Sequence, residues 1–406
     1  MRTNTTKRIP LTLVVVLAVV MVSLLGFSVF SGVTYAAEGT PQKTGETITV
    51  GHMSDIHYFP LEYCYTKDVD SDYYKSTDFY YAMTGDTKLV LESGITLNAA
   101  MKSILKDADE GKAPQYLVTS GDLCKNGERV ALIDVANTLR YLQNEMRAKK
   151  GYENFQVFSV VGNHDLYNHN GELYSKETGE GRVADIVNSA QFALIFAGLG
   201  YPNASLDGKN GTVKLTDYLP AEYWSSNYTS GYQESTNASN LNISYYAEEL
   251  EAVATADDKL DCYYNLGDDI NKLTYFAEIV DSDSANKGFS FAGIDSADRL
   301  SVKEGEGAPA RISENEYYAL ANMGRAPILV LENENGVIET DSPVSARYAF
   351  ASGQNVYRLV DYSHITGGRI STPCLNWVES QTKKQNGDKT TLGEETVIAT
   401  FHHNVL

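Results

Sequence analysis

The stretch NFQVFSVVGNHD, residues 154–165, joins an apolar run to a polar cluster. The run is rich in Val and Phe, which is typical of a buried β-strand. It ends at Gly162, and Asn163, His164 and Asp165 follow directly. Since Asn after Gly favours a turn, this stretch alone is compatible with either a structural turn or a functional site at a strand end.

Two similar strand patterns precede this stretch, and helical patterns separate them. TITVGHMSD, residues 47–55, and PQYLVTSGD, residues 114–122, are apolar runs that end on aspartate. Apolar residues at helical spacing cover 86–111 and 128–151, and each pattern ends at a glycine. Strands that alternate with helices of this length predict βαβ units and therefore an α/β fold.

The rest of the chain alternates between polar segments and core-like patterns. Residues 287–297 predict another strand, 372–384 a helix and 395–406 a final strand. The intervening segments are rich in Tyr, Asn, Ser, Gly and Asp, with one helical pattern around 184–200. We therefore predict one domain over residues 38–406, with its core in 46–165, 287–297 and 366–406 and insertions over about 166–286 and 298–365.

Residues 1–37 predict an export signal and not a part of the fold. Arg2, Lys7 and Arg8 precede an apolar run over 11–30, and mostly small residues follow it. This order is typical of a signal peptide, although the run is long enough to remain as an anchor. The segment is thus either a cleaved signal or an uncleaved N-terminal anchor, and the protein is predicted to be secreted, extracellular or bound at the cell surface.

The charge of the chain argues against one class of partner. It has 33 basic and 53 acidic side chains, which give a formal net charge of −20 at pH 7. A protein that binds the phosphate backbone of nucleic acids needs a basic surface. We therefore expect no nucleic-acid partner.

Side chains that can bind metals follow the strands of the predicted core. Ligands of α/β sheets lie beyond the carboxyl ends of the strands, so we expect these side chains to share one site. Carboxylate, amide and imidazole groups together suit Fe, Mn or Zn better than Ca or Mg alone. A single aspartate can bridge two ions about 3.5–4 Å apart, as two-metal hydrolases require. The clusters are Asp55 with His57, Asp122, Asn163 with His164 and Asp165, and His402 with His403.

In this order, D-x-H, G-D, G-N-H-D and H-H, the clusters resemble the motif set of the calcineurin-like metallophosphoesterase superfamily. The resemblance covers the core segments and not the insertions. It implies an α/β fold with a four-layer α/β/β/α sandwich and a large polar insertion. It also implies a metal-dependent phosphoric ester hydrolase with two divalent or trivalent metal ions, either Fe, Mn or Zn.

The resemblance also assigns the metal ligands. Asp55, His57 and Asp122 would hold the first ion. Asp122, Asn163 and His402 would hold the second, so that Asp122 bridges the two. In the adjacent histidine pair the first imidazole is chosen, since the family's histidine pair usually ligates through it.

The catalytic residues follow in the same way. His164 would assist the leaving group, and Asp165 would be its orienting partner. The implied reaction is hydrolysis of a phosphate ester by attack of a metal-activated hydroxide. The expected partner is a small phosphate-ester substrate or a phospholipid headgroup, and contact with a membrane is expected only through an uncleaved N-terminal anchor.

The sequence departs from the family pattern in one place. The family's final G-H-x-H motif has no counterpart, because GHMS at 51–54 lies in the first predicted strand and lacks the second histidine. We therefore expect the domain to be incomplete at its C-terminus, to bind metal weakly and to be poorly active. The alternative is a secreted binding or surface protein on the same scaffold with an incomplete, inactive site.

Overall fold

The structure is a computed structural model, and it describes the chain in segments from residue 48 onward. The predicted signal or anchor over 1–37 lies outside the described residues. Within the described part, no helix is both long and apolar enough to cross a membrane. The described residues are 48–84, 88–166, 171–185, 187–217, 232–255, 271–280, 289–297, 310–311, 313–315, 317, 329–333, 336–340, 347, 349–353, 356–358, 370–385 and 396–403.

Strands and helices alternate along the first third of the described chain, and strands dominate the middle. The helices are α1 (Asp78–Thr84), α2 (Val90–Asp109), α3 (Arg129–Arg147), α4 (Ser189–Ile195), α5 (Glu248–Thr255) and α6 (Thr372–Gln385). The strands are β1 (Val50–Met53), β2 (Tyr116–Ser120), β3 (Gln156–Val160), β4 (Glu172–Tyr174), β5 (Gly181–Val183), β6 (Ala204–Ser205), β7 (Val213–Lys214), β8 (Leu241–Tyr245), β9 (Tyr275–Ile279), β10 (Phe289–Gly293), β11 (Ala310–Arg311), β12 (Leu329–Asn333), β13 (Gly336–Thr340), β14 (Val356–Arg358) and β15 (Thr396–Thr400).

The first sheet consists of β1, β2 and β3 in that order, and its pairs are parallel. Val50 pairs with Tyr116, and Tyr116 pairs with Gln156. The three strands therefore begin in register, and their carboxyl ends lie at the same edge of the sheet. Every residue of β2 and β3 is buried, as is expected for parallel strands covered on both faces. The three strands predicted from the apolar runs are confirmed.

Helices α2 and α3 make the two crossovers between these strands, as the helical spacing predicts. The buried face of α2 includes Val90, Leu97 and Met101, which recur at helical spacing. The helix ends before Gly111, whose φ of 69° lies in the left-handed region that glycine tolerates. Helix α3 is buried along most of its length, and Leu139 and Leu142 belong to the main hydrophobic core.

The second sheet has the order β15-β10-β9-β8. Strands β10 and β15 are parallel, whereas β9 pairs with both β10 and β8 in the antiparallel sense. Strands β8 and β9 lie in the segment that the sequence analysis assigns to an insertion, and so do the buried core residues Phe192, Phe196 and Tyr201. This segment therefore contributes to the core, while the division into core and insertions stays a prediction.

Aromatic rings join the two sheets. The ring of Phe291 in β10 lies 4.5 Å from that of Phe158 in β3 and 4.8 Å from that of Tyr116 in β2. The hydroxyl of Tyr275 in β9 donates a hydrogen bond of 3.1 Å to the carbonyl of Ser159. These contacts fix β15 relative to the ends of the first sheet.

Helix α6 packs against residues of the second sheet. Trp377 and Val378 contact a small apolar cluster that contains Phe276 and Ala292. A further sheet of order β11-β14-β12-β13 is formed within 298–365, the second predicted insertion. The mixed α/β architecture with parallel strands is therefore as predicted.

Candidate metal centre

The ends of three strands bring carboxylate and imidazole groups together. Asp55 follows β1, Asp122 follows β2 and His402 follows β15. Each offers one ligand atom, and these atoms all lie within 4.8 Å of one another. Three residues from segments as much as 347 positions apart thus share one small volume, as the sequence predicts for a metal site.

The backbone at these strand ends adopts an uncommon conformation. Asp55, His57 and Asp122 have φ values of 53°, 44° and 49°, in a region that non-glycine residues rarely occupy. The amide of Asp55 donates to the carbonyl of Gly121 over 3.3 Å, and the amide of His57 donates to that of Asp122 over 2.9 Å. These hydrogen bonds hold the two turns against each other. Positive φ values at non-glycine residues strain the backbone, and strained residues of this kind cluster at functional sites.

Two glycines allow the chain segments to cross here. A Cβ atom on Gly121 would lie 2.8 Å from the backbone nitrogen and Cα of Gly162 and 2.8 Å from Cβ of His402. A Cβ atom on Gly162 would overlap the backbone nitrogen and Oδ1 of Asp122. The glycine of each motif is therefore needed for the close approach of Asp122 to the loop after β3.

Asp122 lies at the middle of the cluster and is buried. Its Oδ1 is 3.3 Å from Nε2 of His402 and accepts a hydrogen bond of 2.9 Å from the backbone amide of His164. Its Oδ2 is 3.7 Å from Nε2 of His57 and 4.0 Å from Nε2 of His164. Burial alone would raise the pKa of Asp122, but the hydrogen bond and charge of His402, together with His164, lower it. The carboxylate is therefore ionised at neutral pH.

His402 is oriented as a metal-ligating histidine would be. Its Nδ1 lies 2.8 Å from the carbonyl of Ser120, which can only accept, so Nδ1 carries a proton. Its Nε2 then faces the site, 3.1 Å from Oδ1 of Asn163. Burial would lower the pKa of His402, but Asp122 outweighs this and raises it to about 9. The cluster thus favours a positive charge at this point, either a proton or a metal ion.

His57 has a similar orientation. Its Nδ1 lies 3.4 Å from the carbonyl of Cys124, and its Nε2 lies 3.8 Å from Oδ1 of Asp55. Burial and the charge of Lys88 lower the pKa of His57, although Asp122 and Asp55 oppose them. The neutral imidazole, which is the form that binds metals, is therefore favoured.

The second histidine of the pair also reaches the site. Nε2 of His403 lies 3.1 Å from Oδ1 of Asn163, and its Nδ1 lies 3.3 Å from Oγ of Ser296. Asn163 is thus in contact with both His402 and His403. The sequence analysis named only the first imidazole as a ligand, although the adjacency of the two histidines was a visible signal.

Asp165 is fully buried below the loop after β3. Its Oδ1 accepts hydrogen bonds from the amides of Leu123 (2.8 Å) and Cys124 (3.2 Å), and its Oδ2 accepts one from Gly162 (2.8 Å). Burial and the neighbouring Asp122 raise the pKa of Asp165 to about 6, although these hydrogen bonds oppose the shift. Asp165 is thus placed to orient His164 through the backbone of their shared loop.

The imidazole of His164 contacts two groups that are not among the predicted site residues. Its Nδ1 lies 3.0 Å from Nζ of Lys88 and 3.1 Å from Oδ1 of Asn126. Burial and the charge of Lys88 lower the pKa of His164 to about 4, against the effect of Asp122. Asn126 lies four positions after Asp122, which is a weak signal, whereas nothing in the sequence marks Lys88.

The donor set fits divalent or trivalent metal ions. Two carboxylates, an amide oxygen and imidazoles are the ligands that Fe, Mn and Zn accept. The Nδ1 hydrogen bond of His402 to Ser120 is the outer contact that metal-ligating histidines commonly make.

The comparison with known families supports the same assignment. A sequence model of the calcineurin-like phosphoesterase family matches residues 48–284, which is more than half of the chain. The chain therefore belongs to the calcineurin-like phosphoesterase family, whose members are metal-dependent hydrolases. The matched range includes Asp55, Asp122 and the loop after β3 but ends before His402. Among the curated proteins, none matches the chain significantly.

Proposed function

We propose that the protein hydrolyses phosphate esters at a two-metal centre. The observation that carries this proposal is the convergence of Asp55, Asp122 and His402, whose ligand atoms lie within 4.8 Å of one another. Family membership independently supports a phosphoesterase. The first ion would be held by Asp55, His57 and Asp122.

The second ion would share Asp122 and take Asn163 and His402 as further ligands. Asp122 is the natural bridge because both of its oxygens face imidazoles, His402 on one side and His57 on the other. When bound, the ions would activate a water molecule as the nucleophile and neutralise charge on the phosphoryl oxygens.

His164 would act on the leaving group. Its Nε2 points towards Oδ2 of Asp122, on the side where the substrate would lie. It is 29 % exposed, so a substrate oxygen can reach it. A hydrogen bond from its ring N–H at this position would stabilise the charge on the departing alkoxide.

Asp165 would preserve this geometry and not react. Its hydrogen bonds join the loop after β2 to the loop after β3, so they fix His164 relative to Asp122. A fully buried carboxylate with three amide donors is well suited to such a positioning role.

We further propose the four-layer α/β/β/α arrangement, with α2 and α3 outside the first sheet and α6 outside the second. The contacts of Phe158 with Phe291, and of α6 with the second sheet, support it.

The order of N-terminal basic, apolar and small residues supports export, with the anchor as the only proposed membrane contact. The acidic net charge of −20 supports a small phosphate ester or a phospholipid headgroup over a nucleic acid.

The test is metal-dependent hydrolysis of p-nitrophenyl phosphate and of its diester. With added Mn²⁺ or Zn²⁺ we expect turnover that Asp122→Asn abolishes. Asp70→Asn is the matched control, because Asp70 is an exposed aspartate on a loop of the same domain. Equal activity in Asp122→Asn and the wild type would refute the proposed site, and metal binding without any hydrolysis would favour the binding-protein alternative.

A further inference from the structure

Lys88 lies beside the proposed site, just before the start of α2. Its ammonium nitrogen is 2.9 Å from the carbonyl oxygen of Lys125, 3.0 Å from Nδ1 of His164 and 3.4 Å from Oδ1 of Asn126. Both the ammonium and the imidazole are partly buried. The contact therefore joins the N-terminal end of α2 to the residue that we place on the leaving group.

An ammonium group carries three donors and no acceptor. Among the described residues, three acceptors lie within 3.4 Å of Nζ of Lys88, and Nδ1 of His164 is one of them. For Nδ1 of His164 to be one of these partners, it must offer a lone pair. In a neutral imidazole the single proton is then on Nε2.

The position of that proton matters because the two ring nitrogens face different groups. Nδ1 faces Lys88 and Asn126, whereas Nε2 is the nitrogen on the side of Asp122, 4.0 Å from its Oδ2. With the proton on Nε2, the neutral ring presents a donor to the site. With the proton on Nδ1, it would present a lone pair and could not donate to a leaving group.

Asn126 favours the opposite tautomer. Its Oδ1 lies 3.1 Å from Nδ1 of His164, and an amide oxygen can only accept. Without the lysine, a proton on Nδ1 would gain this hydrogen bond. Lys88 prevents it by donating to both atoms at once.

We propose that Lys88 is a positioning residue that fixes the Nε2–H tautomer of His164 and so keeps a hydrogen-bond donor directed at the substrate side of the site. The role in catalysis rests on the proposed phosphoesterase function, whereas the tautomer itself does not. If Lys88 only held the loop at Lys125 against α2, replacing Lys88 would leave the tautomer of His164 unchanged.

The experiment observes the imidazole directly. The full chain is labelled with ¹⁵N-histidine, and two-bond ¹H–¹⁵N correlation spectra are recorded in EDTA and again with Zn²⁺. The chain has seven histidines, so His164→Gln assigns the signal. The variants are Lys88→Met, Lys88→Arg and Asn126→Ala, with Lys102→Met on the exposed face of α2 as the matched control.

In the wild type we expect Nδ1 of His164 to show the shift of an unprotonated ring nitrogen and Nε2 that of a protonated one, with or without Zn²⁺. Lys88→Met should move population to the Nδ1–H tautomer. Lys88→Arg, whose guanidinium also only donates, should restore the wild-type pattern, and Asn126→Ala and Lys102→Met should retain it. An Nδ1–H signal in the wild type, or an unchanged signal in Lys88→Met, would overturn the proposal, as would loss of the Nε2–H form in Asn126→Ala.

Steady-state kinetics gives a second readout. We expect Lys88→Met to lower kcat about 10²-fold with little change in KM, because the donor acts mainly in the transition state. Lys88→Arg should recover most of kcat. If the wild type proves inactive, the phosphoesterase function fails while the spectra still decide the tautomer.

Discussion

The two halves of the candidate metal centre are held in different ways. The half that follows β1 to β3 is fixed by its backbone, with Asp55 and Asp122 in left-handed conformations and Asp165 bonded to three amides. The half that follows β15 is fixed by side chains, since His402 contacts Ser120 and His403 contacts Ser296. The first half is preorganised by local geometry, whereas the second depends on how the two sheets pack.

The strongest effect should come from a substitution at Gly162, which disrupts the backbone half of the centre. Gly162→Ala would drive a methyl group into Asp122, so we expect loss of both ions and a decrease of about 1–3 kcal/mol in the free energy of unfolding. Metal analysis and chemical denaturation measure the two effects. Gly94→Ala, within α2, is the control, because among the described residues its Cβ would meet Tyr58 alone, at 3.4 Å. If Gly162→Ala retained both ions, the close approach of the two loops would not be required.

A substitution at His402 should remove one of the two ions and leave the other bound. Removing the imidazole of His402 takes a ligand from the second position and leaves Asp55, His57 and Asp122 in place. We therefore expect His402→Ala to bind one equivalent of Zn²⁺, against two for the wild type, as measured by calorimetry. His57→Ala should weaken the other site. Identical stoichiometry in His402→Ala and the wild type would show that the imidazole of His402 is not required for the second ion.

A smaller effect is expected from the contact between Ser296 and His403, which lies outside the proposed ligands. Ser296 accepts the amide of His403 at 3.1 Å and lies 3.3 Å from its Nδ1. Outer contacts of this kind are worth about 10–100-fold in metal affinity. His403 contacts Asn163, a proposed ligand of the second ion, so we expect Ser296→Ala to weaken the Zn²⁺ binding step of that position by about tenfold and to leave the other step unchanged. Equal weakening of both steps would mean that the two halves are not independent.

The last prediction concerns Glu128, in the loop after β2, and the pH dependence of stability. Glu128 is fully buried, its Oε2 accepts the amide of Asn126 at 2.8 Å, and burial raises its pKa from 4.5 to about 7. The folded chain therefore binds more protons than the unfolded chain between these pH values. The stability due to the protonated form is present below pH 4.5 and is lost as pH rises through about 7.

Glu128→Gln removes this ionisable group and keeps an acceptor for the amide. We expect the decrease in unfolding free energy between pH 4.5 and 7 to become shallower by at most about 3 kcal/mol. Denaturation curves at several pH values in EDTA measure it. A slope that is as steep in Glu128→Gln as in the wild type would assign the pH dependence to other groups.

The elements that local sequence patterns specify could be predicted, whereas those that depend on tertiary pairing could not. Strands β1 to β3 and helices α2 and α3 follow from local apolar periodicity, and Asp55, Asp122 and Asn163 could be located because each directly follows one of those strands. Strands β8 and β9 could not be recognised, since the segment around them is polar over most of its length and Tyr245 of β8 pairs with Tyr275 of β9, 30 positions later. The sheet that they join is formed by tertiary pairing and not by local preference.

The same limit applies to single residues. His403 and Ser296 meet only because β10 and β15 pair in parallel, and Lys88 meets His164 only because α2 packs near the loops after β2 and β3. Contacts of this kind depend on three-dimensional placement, which no spacing along the chain encodes. The ligands close to strand ends were therefore predictable, and the groups that orient them were not.

The most direct test of the central claim is anomalous diffraction from crystals of the protein soaked in Mn²⁺. A two-metal centre should give two peaks about 3.5–4 Å apart, on either side of the Asp122 carboxylate. One peak should touch Asp55 and His57, and the other Asn163 and His402. A single peak, or peaks that do not contact Asp122, would contradict the two-metal centre.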